Sequence, residues 1–325
     1  MGVMIDGIYH VNDPGQETVA GGEFRRAESK IRDWITTGGQ YRPDPGRYHL
    51  YVAWNCPWAH RTLLARVILG LEDVVSVAFA RPRRTDQGWV YDGTGPYADP
   101  ELGVRAVHEV YGRQRPVYTG RLTVPVLWDR ETERIVSNES ADIVRMLGLF
   151  GTGPDLYPEN LRPEIDRWNN LIYPKLNNGV YRAGLARTQE AYDAAVREVF
   201  DTLDRVEDQL GRTEWLTGDR FTEADLRLFP TLARFDVAYH YAFKCNIRRI
   251  SDYVRLWTYA RRMYAIPGVA GTVDFGIYKR GYHSPSELRN PLGIVPAGPE
   301  IDWSLKKLAA ARPAQRPVAR QAVRR

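Results

Sequence analysis

His49-Leu50-Tyr51-Val52-Ala53-Trp54-Asn55-Cys56-Pro57-Trp58-Ala59-His60-Arg61 passes from a strand into a helix within thirteen residues. His49 to Ala53 is a short apolar strand, and Asn55-Cys56-Pro57 is a turn. From Trp58 to Leu69 apolar residues recur at helical spacing (Leu63, Leu64, Val67, Ile68), and Gly70 stops the helix. Further along, Val74 to Ala80 is β-branched and predicts a second strand. Val124-Pro125-Val126-Leu127-Trp128 predicts a third, with a proline near its start, and Ile135-Val136 a fourth. Ser137 or Asn138 is expected to cap a helix that runs through Ile143 and Met146 to Leu149. The order is β-α-β followed by β-β-α, the thioredoxin-like arrangement of a crossover unit completed by an antiparallel hairpin.

The flanks have a different texture. Residues 1–46 are polar and broken by Gly and Pro, with one helix-like stretch near Glu23–Thr36, and read as an extension packed on the body. Residues 81–120 form a long Gly- and Pro-punctuated loop within the 47–150 domain, and a loop of that length is usually functional. Gly151-Thr152-Gly153-Pro154 reads as a linker, and the pattern is helical from Arg162 to about Tyr264. In that half Thr222 is placed to cap a helix, Asp225 to reach back to it, and Phe221 to staple onto Leu226. The fold class expected is α/β plus all-α: a thioredoxin-like domain over 47–150, then a helical domain over 162–296. Residues 297–325 are expected to be a basic, unstructured tail.

Composition narrows the partners. The chain has 325 residues, is 43% hydrophobic and 26% charged, and carries a net charge of +5. The last twenty residues hold seven Lys and Arg and no acid, so residues 1–305 carry −2. The folded body is therefore not a nucleic-acid binder by charge. No apolar run approaches the ~18 residues of a membrane span. Asp6, His10 and Asp13 stand where a secretory leader would be apolar, and Asp6 stands where a myristoylation signal wants Ser or Thr. Two cysteines, Cys56 and Cys245, suit a reducing compartment, so a cytoplasmic location is expected. The six histidines form no ligand-spaced cluster, and no metal is expected.

The chemistry centres on Cys56. A thiol at a helix N-terminus meets unpaired N–H groups and the positive end of the helix dipole. Its pKa is expected to fall into the range of ~3.5–7.5, which makes it a nucleophile. Cys56-Pro57-Trp58-Ala59 has Ala59 where a Cys-x-x-Cys motif has its second cysteine. Without that resolving thiol, a mixed disulfide must be opened by an outside thiol, and glutathione is the abundant one. A cis Val124–Pro125 bond would turn the Val124 amide and carbonyl outward to hold an extended peptide. Glu139-Ser140 at a helix start could hold an ammonium and a carboxylate.

Tyr51 to Arg61, Thr123 to Asp129 and Ser137-Asn138-Glu139-Ser140 together resemble the glutathionyl-hydroquinone reductases, the Xi class of glutathione transferases. So do Asn177-Asn178-Gly179-Val180-Tyr181, Arg234-Phe235-Asp236 and Phe243-Lys244-Cys245-Asn246. The similarity runs from about residue 20 to Pro296. It implies a thioredoxin-like domain followed by a helical glutathione-transferase domain, a cytoplasmic homodimer, and glutathione as co-substrate. The reaction implied is reduction of glutathionyl-hydroquinones to hydroquinones through a Cys56–glutathione disulfide.

Carried over by position, Cys56 is the nucleophile, with Tyr181 and Tyr282 flanking the aromatic substrate as proton donor or orienter. Trp89, Val124, Glu139 and Ser140 bind glutathione, and Tyr239 adds to the substrate pocket. Trp54, Asn55, Tyr241-Ala242 and His283 depart from the family pattern and bear on pocket shape rather than on thiol chemistry. An omega-like thioltransferase or dehydroascorbate reductase would use the same cysteine in a more open pocket. A non-catalytic module on the same fold would have no need of the Cys, Val-Pro and Glu-Ser groups, all of which are present.

Overall fold

The sheet grows from strand β3 (Tyr48–Ala53), whose six residues are all buried, because helices cover one face and the N-terminal extension and long loop the rest. The computed structural model describes residues 2–11, 19, 21–114, 116–151, 153–287 and 289–305. Two short strands precede β3: β1 (Val3–Ile5) and β2 (Ile8–His10). Helix α1 (Pro57–Ile68) crosses from β3 to the parallel strand β4 (Ser76–Ala80). Helix α2 (Val107–Gly112) and β5 (Gly120–Arg121) lie in the segment expected to be irregular. Strands β6 (Val126–Asp129) and β7 (Arg134–Ser137) form the antiparallel hairpin, and α3 (Ser140–Leu147) closes the domain. The strand order is β4-β3-β6-β7, with Tyr51 opposite Val126 and Leu50 opposite Leu127.

The N-terminal extension packs on this body, but not as a helix. Residues 23–36 stay extended, with Phe24, Ile31 and Ile35 buried and bridges from Arg32 to Ser137 and from Ile35 to Tyr41. Their spacing imitates a helical face, but pairing with the edge of β7 satisfies the backbone instead. A second small sheet, β2-β1-β5, adds to the extension. Its hairpin turns on Asp6-Gly7, both at positive φ (48° and 79°), the residue pair that a tight two-residue turn favours.

The second half is helical: α4 (Arg162–Ile172), α5 (Gly179–Gly184), α6 (Gln189–Leu210), α7 (Glu223–Arg234), α8 (His240–Ala242), α9 (Val254–Tyr264) and α10 (Phe275–Tyr282). The capping box of α7 forms: the Thr222 N–H donates to Asp225 Oδ2 at 2.9 Å. Two π-helical turns, Tyr173–Asn177 and Phe235–Tyr239, interrupt the α-helices. Each inserts a residue and rotates the helical turns beyond it, and each adjoins a tyrosine of the candidate site, Tyr181 and Tyr239.

The chain is still packed beyond residue 297, where a tail was expected to begin. Trp303 is buried against Phe275, Trp257 and Tyr264, and Arg261 donates to the Ser304 carbonyl at 3.1 Å. One large aromatic side chain supplies enough apolar area to hold the segment. The basic stretch 306–325 lies outside the described residues.

Candidate active site

Cys56 is the N-cap of α1, extended at φ −80° and ψ 116°, with Pro57 opening the helix. Its Sγ accepts from the Ala59 N–H at 3.4 Å and lies 3.2 Å from the Val124 carbonyl oxygen, to which the thiol donates. The Val124–Pro125 peptide is cis. Contrary to expectation, the thiol is not lowered. Burial pushes it up, and the N–H groups of Ala59 and Trp58 with the Arg234 and Arg26 charges only oppose that rise. A helix N-terminus favours the thiolate by contact, but desolvation acts on the whole sulfur.

The sulfur sits in a cleft of about 810 Å³ between the two halves. Trp89, Val124, Tyr181 and Tyr282 line it together with Cys56, so residues 33 to 226 positions distant from Cys56 converge there. The Tyr181 and Tyr282 hydroxyl oxygens are 2.6 Å apart. Tyr239 is fully buried behind them, its hydroxyl 3.2 Å from that of Tyr282. Tyr282 in turn lies 3.4 Å from the Asn55 carbonyl oxygen, beside the cysteine. Burial raises the pKa of all three tyrosines, strongly for Tyr239 and Tyr282, so each keeps its proton at neutral pH.

Glu139 and Ser140 stand apart from that cleft lining, at the N-terminus of α3. Glu139, not Ser137 or Asn138, is the N-cap: its carboxylate accepts from the Ala141 N–H at 3.0 Å and from Ser29 Oγ at 3.0 Å. Ser140 is buried, and the Arg61 guanidinium reaches its Oγ at 3.5 Å and Asn177 Oδ1 at 2.7 Å. Burial lowers Arg61 to about 9.

Several arginines also join the site, of which only Arg234 stands in a stretch that carries the family resemblance. Arg26, from the extension, lies over the rings of Trp58 and Tyr181 at 5.1 and 4.8 Å. Arg84 lies over Trp89 at 5.1 Å. Arg234, buried in α7, donates to the carbonyls of Trp54 and Asn55 at 2.8 and 3.3 Å and lies 2.9 Å from His60 Nδ1. Contacts between residues this far apart leave no trace in neighbouring positions of the chain. Of the departures, Asn55 donates to the Pro82 carbonyl, His283 is buried with Nδ1 against the Lys279 carbonyl at 2.9 Å, and Tyr241 is exposed.

Family models for the N-terminal and C-terminal domains of glutathione S-transferase match residues 55–148 and 189–262. A glutathionyl-hydroquinone reductase of Sphingobium chlorophenolicum is 46% identical, over 92% of this chain and 96% of that one. The chain is a Xi-class glutathione transferase. The Xi transferase of Phanerochaete chrysosporium superposes with a TM-score of 0.84 at 43% identity, covering 89% of this chain and 96% of that one. A glutathione-bound transferase homologue of Escherichia coli gives 0.81, also at 43%, over 84% and 94%. An omega-like transferase of Schizosaccharomyces pombe is 42% identical over 86% of this Xi-class chain and 94% of its own. The N-terminal model covers Cys56, Trp89 and Val124 and the C-terminal one covers Tyr239, while Tyr181 and Tyr282 lie outside the matched stretches of this Xi-class chain.

Proposed function

We propose that this chain reduces glutathionyl-hydroquinones to hydroquinones, with Cys56 as nucleophile and glutathione as reductant. The observation that carries the reading is the pair of protonated hydroxyls, Tyr181 and Tyr282, 2.6 Å apart in the same cleft as Cys56 Sγ. The Cys56 thiolate attacks the glutathionyl sulfur of the substrate. An S–S bond forms, the bond from sulfur to the ring carbon breaks, and the ring carbon leaves with the electron pair. That carbon takes a proton, for which the tyrosine hydroxyls are the donors in place. A second glutathione thiolate then attacks the glutathionyl sulfur of the mixed disulfide, releasing oxidised glutathione and the Cys56 thiolate.

In this reading Val124 offers its backbone to the cysteinyl part of glutathione, and Trp89 lies beside it. Glu139 and Ser140 receive the γ-glutamyl end. Both cysteines are free thiols, which suits a reducing cytoplasm, and the enzyme works as a homodimer. Residues 47–150 bind glutathione and 162–296 shape the substrate side.

The omega-like likeness keeps thiol transfer as the second reading. Purified protein with glutathione is to be assayed on glutathionyl-hydroquinones, hydroxyethyl disulfide and dehydroascorbate. Highest kcat/KM on the glutathionyl-hydroquinones supports the proposal; a preference for either of the other two overturns it.

A further inference from the structure

The cleft around Cys56 is lined by five arginines, Arg26, Arg83, Arg84, Arg280 and Arg289, and by no Asp or Glu among the described residues. The glutathionyl group of the substrate brings two carboxylates, fewer than the five cations that face the cleft. Two of the five are set apart by position. Arg84 comes from the long loop and Arg289 from the segment after α10, and their guanidinium groups lie over Trp89 and Phe243 at 5.1 and 5.6 Å. Arg289 lies near enough to Arg84 for the two charges to act on each other, and Arg84 near enough to Cys56 for a thiolate there to favour its charge.

Resting on the proposed two-step reaction, we propose that Arg84 and Arg289 form the docking site for the second glutathione, the one that resolves the Cys56 mixed disulfide. Once the hydroquinone has left, its space is the open approach to the bound glutathionyl sulfur. The incoming nucleophile carries two carboxylates, which two guanidinium groups from separate segments of the cleft lining can hold while its thiolate turns towards the disulfide. The thiolate forms the new S–S bond with the glutathionyl sulfur. The Cys56 Sγ–S bond breaks with its electron pair on Sγ, and the thiol proton of the incoming glutathione goes to solvent.

The test starts from Cys56 already carrying one glutathione, made with oxidised glutathione, so it requires no hydroquinone. Failure to form that adduct would strike the proposed function itself; everything after it concerns the arginines alone. The second-order rate of resolution is measured with glutathione, with glutathione diethyl ester and with 2-mercaptoethanol. Arg84→Gln and Arg289→Gln should each slow glutathione about three- to tenfold and leave the two thiols without carboxylates nearly unchanged. Arg→Lys at either position should recover part of the loss. In the unmodified protein, rising salt should slow glutathione but not its diester. Equal slowing of all three thiols, or no slowing of any, or equal salt dependence for glutathione and its diester, overturns the proposal.

Discussion

The Arg234 guanidinium, in the helical half, donates to the carbonyl of Trp54, in the thioredoxin-like half, across 2.8 Å and 180 positions of chain. The same side chain reaches the Asn55 carbonyl and His60, so it fixes the turn that carries Cys56 from the opposite domain. Arg234→Met would leave the Trp54 carbonyl and its neighbours without their donor. We expect a loss of stability on the order of 3 kcal/mol and slower reaction of Cys56 with every substrate class. Denaturant unfolding and iodoacetamide kinetics check both; an unchanged alkylation rate in the folded variant would remove the positioning role.

Cys56→Ala should abolish turnover, whereas Cys245→Ala should retain most of it. Cys245 is fully buried and pushed far up by that burial, so it supplies no thiolate. Comparable losses in two folded variants would contradict the assignment. Intact mass after treatment with oxidised glutathione should rise by one glutathione, at Cys56.

Burial also fixes the sign of the pH response. With the Cys56 thiol above the ordinary cysteine value, the thiolate is the minor form at neutral pH and grows as pH rises. In the Cys245→Ala variant, alkylation of Cys56 should keep accelerating beyond about pH 9. The unfolded chain ionises first, so this group's contribution to stability is present below the ordinary thiol pKa and is lost above it. A rate plateau below about pH 8 would show that the helix N-terminus outweighs desolvation.

Tyr181→Phe and Tyr282→Phe keep the rings and remove one hydroxyl each. Each should lower hydroquinone release by on the order of 10²-fold while sparing hydroxyethyl disulfide reduction, which delivers no proton to carbon. Because the two hydroxyls share one hydrogen bond at 2.6 Å, the double variant should lose little more than either single one. Equal effects on the two reactions would favour general thiol transfer.

The Asp225 carboxyl is held up at about 6 by burial in its capping box, although Leu216, Thr222 and Tyr259 all donate to it. A carboxyl raised on folding adds stability below its unfolded pKa of about 4 and loses that addition as pH rises to about 6. The stability difference between the unmodified protein and Asp225→Asn should therefore shrink from pH 4 to pH 6. A difference that grows over that range would mean the carboxylate is the favoured form.

Features decided by adjacent residues were legible in the sequence. The strand–Cys-Pro–helix turn and the Thr222–Asp225 box each lie within a few positions, so their geometry obeys local rules. Residues 23–36 misled because Phe24, Ile31 and Ile35 are spaced as on a helix, while the edge of β7 claimed their backbone. The Asp6-Gly7 hairpin is just as local, but its strands are three residues each and the polar texture of residues 1–46 hides them. The direction of the Cys56 shift had no local signal, since burial depends on how the whole chain packs around the turn. Arg26, Arg84, Arg234 and Arg289 acquire their places only when four distant segments meet.

The anchoring of Trp303 against Phe275 makes the segment that carries Arg289 a loop tied at both ends: at one by α10, and at the other by that ring stack and by Lys279 donating to the Ala297 carbonyl at 2.7 Å. A tryptic cut after the exposed Arg289 would then sever the chain without releasing either piece. The nicked protein should run as two fragments under denaturing conditions and as one particle under native ones, with the rim of the cleft opened on one side.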